Sequence, residues 1–173
     1  MWVFLSSDCL FFGALIATYM VYRGQSLNGP YPIDIIDVPI TTISTFVLLC
    51  SSFSMVQALS ATNRNDQKGI RIWLMTTAIL GSIFIGFQIF EFTTFYKEGL
   101  TLGVNLFGAT FFTLTGFHGA HVTMGTLILA IMLIRIAKGH FTPQQHFGFE
   151  AASWYWHFVD VVWVGLFIFV YIF

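Results

Sequence analysis

Five long apolar stretches alternate with short polar or Pro/Gly-bearing intervals along this 173-residue chain. Crossing a hydrocarbon core about 30 Å thick takes about 20 residues of helix at about 1.5 Å each, and all five stretches reach that length. They cover about 2–22, 38–61, 70–96, 106–137 and 149–173. Arg23-Gly24 ends the first, and a connection carrying Pro30, Pro32 and Pro39 leads to the second. The polar stretch Thr62 to Lys68 precedes the third, Lys97-Glu98-Gly99 the fourth, and Gly139 to Gln145 the last. The pattern predicts an all-α, polytopic membrane protein of five transmembrane helices in a bundle. Connections this short make sequential helices antiparallel neighbours. With no repeat and no linker in the sequence, residues 1–173 read as a single transmembrane domain.

Composition strengthens this reading. The chain is 57% hydrophobic and only 9% charged, against about 25% charged in a soluble domain. Aromatics reach 18%, with 21 Phe, as suits a protein that fills space against lipid and other helices. A net charge of -1 offers no basic field, so nucleic acid is not an expected partner. Cys9 and Cys50 stand in apolar runs without a CxxC pair and read as inert thiols. The first run is too long for a signal peptide's apolar region and lacks a basic leader. The chain starts and stops within apolar runs, as one trimmed by a few residues at each end would.

Lys and Arg set the expected orientation. Arg64, Lys68, Arg71, Arg135 and Lys138 follow the second and fourth spans, whereas only Arg23 and Lys97 follow the first and third. Five against two places the N-terminus inside and the C-terminus outside.

Ionisable groups within apolar spans are costly and call for an explanation. In the first span, Asp8 is either a helix-end carboxylate wetted by headgroups or an inward-facing one with a polar partner. Gly13 and Ala17 there form a small face open to close helix approach. Gln88 and Glu91, one turn apart, share a face of the third span. Glu91 reaches the surface, pairs with a histidine or makes an interhelical hydrogen bond, the last being favoured. His118 and His121 lie near the middle of the fourth span, with Gly116 and Ala120 as a packing notch. A membrane metal site needs further ligands from another helix, so these histidines are expected to be buried and hydrogen-bonded, with no metal.

The last span is the most unusual. Glu150, Trp154, His157 and Val161 follow at three- and four-residue steps, and Asp160 is one turn beyond His157. An in-helix His157–Asp160 pair is expected. Asp160 lies about 15 Å past Glu150, near mid-bilayer, so it must be paired, protonated or facing water. At the end of the fourth span, Arg135, Lys138 and His140 stand where lipid phosphate would lie. The planar guanidinium of Arg135 suits phosphate best, while Lys138 is explained by snorkelling alone.

Two functions of different class fit these residues. In the first, a membrane cytochrome holds its own haem between His118 or His121 and His157. In the second, a subunit without a redox centre uses its polar groups to brace the fold and docks on a larger partner. A di-iron carboxylate bundle is excluded, because the repeated Glu-x-x-His motif it needs is absent.

Four blocks carry a family resemblance over nearly the whole chain. They are Ser7-Asp8-Cys9-Leu10-Phe11-Phe12-Gly13, the pair Gln88 and Glu91, Thr115-Gly116-Phe117-His118-Gly119-Ala120-His121-Val122, and His146 to Trp163. Together they resemble subunit III of the haem-copper terminal oxidases, the cytochrome c oxidase and quinol oxidase group. The last two blocks are long and highly specific. The resemblance implies a non-catalytic subunit that packs against oxidase subunit I, alongside subunit II and other subunits. Haem and copper are then carried by the partners, and phospholipid occupies a cleft between two groups of helices. It also implies support of complex stability and proton uptake while subunit I reduces oxygen. Arg135 falls on a position associated with lipid phosphate. Asp8 falls on a carboxylate known for reactivity, where the family more often has Glu and reaches further by a methylene. Glu91, His118, His121, Glu150, His157 and Asp160 become an internal polar brace. Longer members have seven spans, and five-span forms occur in bacterial oxidases, which implies the bacterial cytoplasmic membrane. The first block resembles the quinol oxidase branch and the longer last block the cytochrome c oxidase branch, so cytochrome c is the expected donor and quinol the alternative.

Overall fold

The structure, a computed structural model, describes residues 1–23, 38–103, 105–138 and 147–172. Five helices span them: α1 (Trp2–Tyr22), α2 (Val38–Asn63), α3 (Gln67–Lys97), α4 (Leu106–Ala137) and α5 (Phe147–Leu166). A π-helical segment, Phe167–Ile172, continues α5. All five are long and apolar enough to cross a membrane, and no strand occurs among the described residues. Their ends fall within a few residues of the predicted spans.

The helix ends have local causes. After α2, Asn65 adopts φ 57, a left-handed conformation that Asn tolerates better than most side chains. Its N–H bonds the Thr62 carbonyl while the Asp66 N–H reaches back to Ala61, closing the last turn. Gly99, at φ 86, ends α3 in the same way, with Gly99 N–H on Tyr96 and Leu100 N–H on Phe95. The Asn105 side chain accepts from the Gly108 N–H at 2.7 Å and so caps the start of α4.

Contacts between helices fix their directions. Thr45, Ser51 and Ser52 of α2 meet Trp163, Trp156 and His157 of α5 in antiparallel order. Arg71 and Gln88 of α3 meet Ile136 and Thr115 of α4, also antiparallel. The α1–α4 pair is antiparallel, with Asp8 beside His121 and Tyr19 beside Phe107. In contrast, α1 and α5 run parallel, with Trp2 on Trp154 and Tyr19 on Val170. α5 contacts α1, α2 and α4 along its length, and two of its side chains also reach α3, Trp163 on Phe84 and a second indole.

The second is Trp156, buried where glycines leave α3 and α4 without a side chain. A Cβ at Gly81 would stand 2.5 Å from Trp156 Cη2, and one at Gly125 would stand 2.9 Å from Cε3. The indole fills both notches, while its N–H donates to Ser51 Oγ at 3.1 Å. The expected small-residue notches are different. Nothing lies within 4 Å of a Cβ at Gly13 or Gly116, and Gly116 and Ala120 line an outer groove. A glycine becomes a packing notch only where a facing side chain fills it, as Trp156 does at Gly81 and Gly125.

Candidate functional site

Polar side chains of α1, α2, α4 and α5 gather in a layer across the middle of the bundle, while Glu91 of α3 lies toward one end with Thr41 and Tyr171. On α1, the register set by Trp2–Trp154 and Tyr19–Val170 puts Asp8 level with the Val159–Asp160 turn of α5. Asp8 is half-buried and faces α4. Its Oδ2 is 3.4 Å from His121 Nε2, and the two side chains are 15% and 19% exposed. His121 Nδ1 is 2.7 Å from the Phe117 carbonyl. A carbonyl only accepts, so Nδ1 carries a proton and Nε2 is turned toward Asp8. A favourable contact then needs one proton between the imidazole and the carboxyl.

His118 stands in different surroundings. It is 0% exposed, stacked on Trp163 at 4.8 Å, with the rings of Phe84 and Phe12 edge-on at 6.0 and 6.4 Å. Neither ring nitrogen has a hydrogen-bond partner among the described residues, which differs from the expected hydrogen-bonded role. Its direction off α4 leads into aromatic rings, and ring contacts take the place of polar ones.

The last helix gives a second correction. His157 and Asp160 do not pair directly. Ser52 of α2 is 2.6 Å from His157 Nδ1 and lies beside the Asp160 carboxyl as well. The two residues share a face of α5, and that face meets α2, so a hydroxyl from the neighbouring helix stands between them. Asp160 is 6% exposed, and its Oδ1 has no partner. Glu150 is elsewhere, in the first turn of α5, where a carboxylate complements the helix dipole.

Glu91 is buried and accepts from the Thr41 hydroxyl at 2.9 Å, so an interhelical hydrogen bond is observed. The Tyr171 hydroxyl lies beside them. One turn earlier, the Gln88 amide donates to the Thr115 carbonyl at 2.8 Å. Gly119 makes room for it, since a Cβ there would be 2.9 Å from Gln88 Oε1.

Several participants carried no mark in the sequence reading. Besides Ser51 and Ser52, Thr45 accepts from the Trp163 indole N–H at 2.9 Å. Thr41, Thr45 and Ser52 recur at helical spacing, a signal sufficient to place one hydroxyl-lined face on α2. The Tyr155 hydroxyl donates to the His121 carbonyl at 3.0 Å. Arg71, which served only the orientation count, donates to the Ile136 carbonyl at 3.3 Å near the end of α4. Arg135 is exposed in the last turn of α4 and Lys138 caps it. His140 lies outside the described residues.

Among the described residues, no group of three or more His, Cys, Asp or Glu is placed to hold a metal ion. A bis-histidine haem would need His118 or His121 to face His157 across a gap. Instead His121 is turned to Asp8, His118 is enclosed by rings, and His157 is held by Ser52. The arrangement joins helices to one another.

Comparison with known proteins agrees with this geometry. The family described as cytochrome c oxidase subunit III matches residues 1–173. A cytochrome c oxidase subunit 3 from Corynebacterium diphtheriae is 39% identical over 98% of this chain and 84% of its own length. A quinol oxidase subunit 3 from Bacillus spizizenii is also 39% identical, over 99% of this chain and 84% of its own. A cytochrome c oxidase subunit 3 from Thermostichus vulcanus matches at 39% over 98% and 84%. Relatives with either electron donor thus match equally well, and the chain belongs to the cytochrome c oxidase subunit III family.

Proposed function

We propose that this chain is the non-catalytic core subunit III of a proton-pumping haem-copper terminal oxidase. It supports subunit I as electrons pass from cytochrome c to oxygen, with haem and copper held by the partner subunits. The observation that carries this reading is the use made of the mid-membrane polar groups. Each is engaged by another helix or by rings, as a brace built from Glu91, His118, His121, His157 and Asp160 requires. Glu150 belongs to the same brace at the start of α5. Asp8, level with Asp160 and paired with His121, is the carboxylate placed to influence proton uptake.

Phospholipid is the expected ligand. Arg135 and Lys138 are exposed at the end of α4, and at the same end of the bundle an apolar groove of about 430 Å³ runs between α3 and α4, lined by Met75, Leu133 and Ala137 with Arg71 as its cation. Cationic heads above an apolar groove suit a phosphate with an acyl chain below it. The excess of Lys and Arg at this end supports an inside location for it, and the bacterial relatives support a bacterial cytoplasmic membrane. A quinol oxidase is the second reading, supported by the Bacillus relative of equal identity.

Purification through a tag on this chain tests the proposal. It should bring down a complex with subunits I and II and a haem spectrum, while the separated chain carries no haem. A haem that stays with the isolated chain refutes the reading. Oxidation of reduced cytochrome c or of quinol by the complex decides the donor. In the same preparation, Arg135→Ala should lower retained phospholipid measured by mass spectrometry, and unchanged lipid removes Arg135 from the site.

A further inference from the structure

The seam between α2 and α5 is polar where it meets the outside of the bundle. His157 and Ser52 are only half-buried, and they lie about 15 Å into α5, near the middle of a hydrocarbon core about 30 Å thick. Around them the surface is apolar. Val161, one turn beyond His157, is 68% exposed, and Leu49, Phe53 and Val56 flank Ser52 on α2. The outer face of α3 is of another kind. It exposes Met75, Ile79 and Ile83, which line shallow apolar grooves.

The chemistry of the seam follows from its hydrogen bonds. Asp160 lies behind Ser52, and a carboxyl oxygen accepts from the Ser52 hydroxyl. Ser52 Oγ then accepts from His157 Nδ1–H across their 2.6 Å contact. That leaves Nε2 as an acceptor, and no described residue donates to it. Lipid tails cannot supply a donor, and an unpaired polar group in hydrocarbon costs several kcal/mol. An apolar rim around a single polar acceptor is therefore complementary to protein and mismatched to lipid.

We propose that the α2–α5 face centred on His157 docks a transmembrane helix of a partner oxidase subunit. That helix presents a hydroxyl or carboxamide which donates to His157 Nε2. The inference rests on the subunit III reading above and deepens it by naming the face and the chemistry of contact. Ser52 and Asp160 are positioning residues, fixing the imidazole tautomer that faces the partner.

The test uses the intact complex purified through this chain. A photo-crosslinking residue, p-benzoylphenylalanine, replaces Val161 in one preparation and Ile79 in another. Position 161 should form an adduct with a different subunit and position 79 should not. His157→Leu should lower the fraction of partner retained after detergent washing about tenfold, the loss of one hydrogen bond to a polar group. His157→Gln, which restores an acceptor, should recover most of it. Adducts at 161 with lipid alone or with a second copy of this chain overturn the inference, as does a partner adduct at 79 without one at 161. In each of those outcomes the complex still co-purifies, so the functional reading survives. A chain that brings down no haem-containing complex overturns both.

Discussion

α5 and α1 are both apolar helices laid against α4, yet they are attached by different means. α5 is keyed into its neighbours: Trp156 fills notches at Gly81 and Gly125, and Ser51, Ser52 and Thr45 meet its polar side. α1 lies at the edge, with only Phe12 and Tyr19 buried. It is tied by the Asp8–His121 contact, by Phe11 on Phe117 at 5.1 Å and by Phe12 on His121 at 5.0 Å. In a bilayer the hydrophobic effect does not press helices together, because lipid is as apolar as they are. Attachment depends on close fit and on polar contacts. α5 has both, whereas α1 leans on the Asp8–His121 contact, a long Tyr19–Val170 hydrogen bond and a few rings. Damage at α5 should therefore fail the whole bundle, and damage at α1 should loosen one helix.

The largest effect is expected at the indole. Trp156→Ala should destabilise the chain by about 3–5 kcal/mol, as for other large-to-small core changes. Gly81→Val should cost about 3 kcal/mol, because the ring has Gly125 on its far side and no room to retreat. Gly116→Val, where a Cβ meets open space, should behave like the parent. Membrane content by immunoblot and thermal aggregation in detergent measure all three. Equal accumulation of Gly81→Val and Gly116→Val would show that the clamp does not organise the bundle.

A smaller and more local effect is expected at α1. Asp8→Leu leaves His121 Nε2 facing an apolar group and should cost about 1–2 kcal/mol. Cysteine labelling on α1 should rise severalfold while labelling on α2 and α5 stays constant. Asp8→Asn keeps a polar partner and should hold α1 in place. If Asp8 also serves proton uptake, Asp8→Asn changes turnover or proton stoichiometry in the assembled oxidase with α1 still docked. Unchanged pumping and an unchanged working lifetime reduce Asp8 to a helix tie.

The contrast also explains which features were legible in the sequence. The five spans are recorded in hydropathy and length, and their ends in Arg23, Asn65 and Gly99, so helix existence and bounds are readable residue by residue. The ionisable groups are equally visible, since Asp8, Glu91, His121 and Asp160 stand out in apolar runs. Their partners are not. A local rule pairs His157 with Asp160 along one helix, but the neighbouring helix supplies Ser52 at 2.6 Å. His118 shows the same gap, as nothing in its own span records that Trp163 will cover it. The glycines complete the pattern. Gly13, Gly81, Gly116 and Gly125 are alike in sequence, and only the position of one tryptophan on another helix separates notch from open surface. Interhelical register is the missing quantity, and the hydroxyls of α2 were its one written trace.

The smallest effect bears on what those hydroxyls contribute. Thr45→Val preserves shape and removes the acceptor from the Trp163 indole, 2.9 Å away and buried. Removing the acceptor alone strands an N–H in the core, whereas adding Trp163→Phe removes the donor too. The double variant should therefore be more stable than the two single losses added together. Polar contacts between membrane helices average about 0.6 kcal/mol and reach about 1.7, which bounds the coupling. Trp163 also stacks on His118, so Phe must keep a ring there for the cycle to isolate the hydrogen bond. Denaturation midpoints in mixed micelles for the four proteins give the coupling directly. A value near zero would mean that ring packing alone seats α5 against α2, and the distinction between its attachment and that of α1 would then rest on the Trp156 clamp.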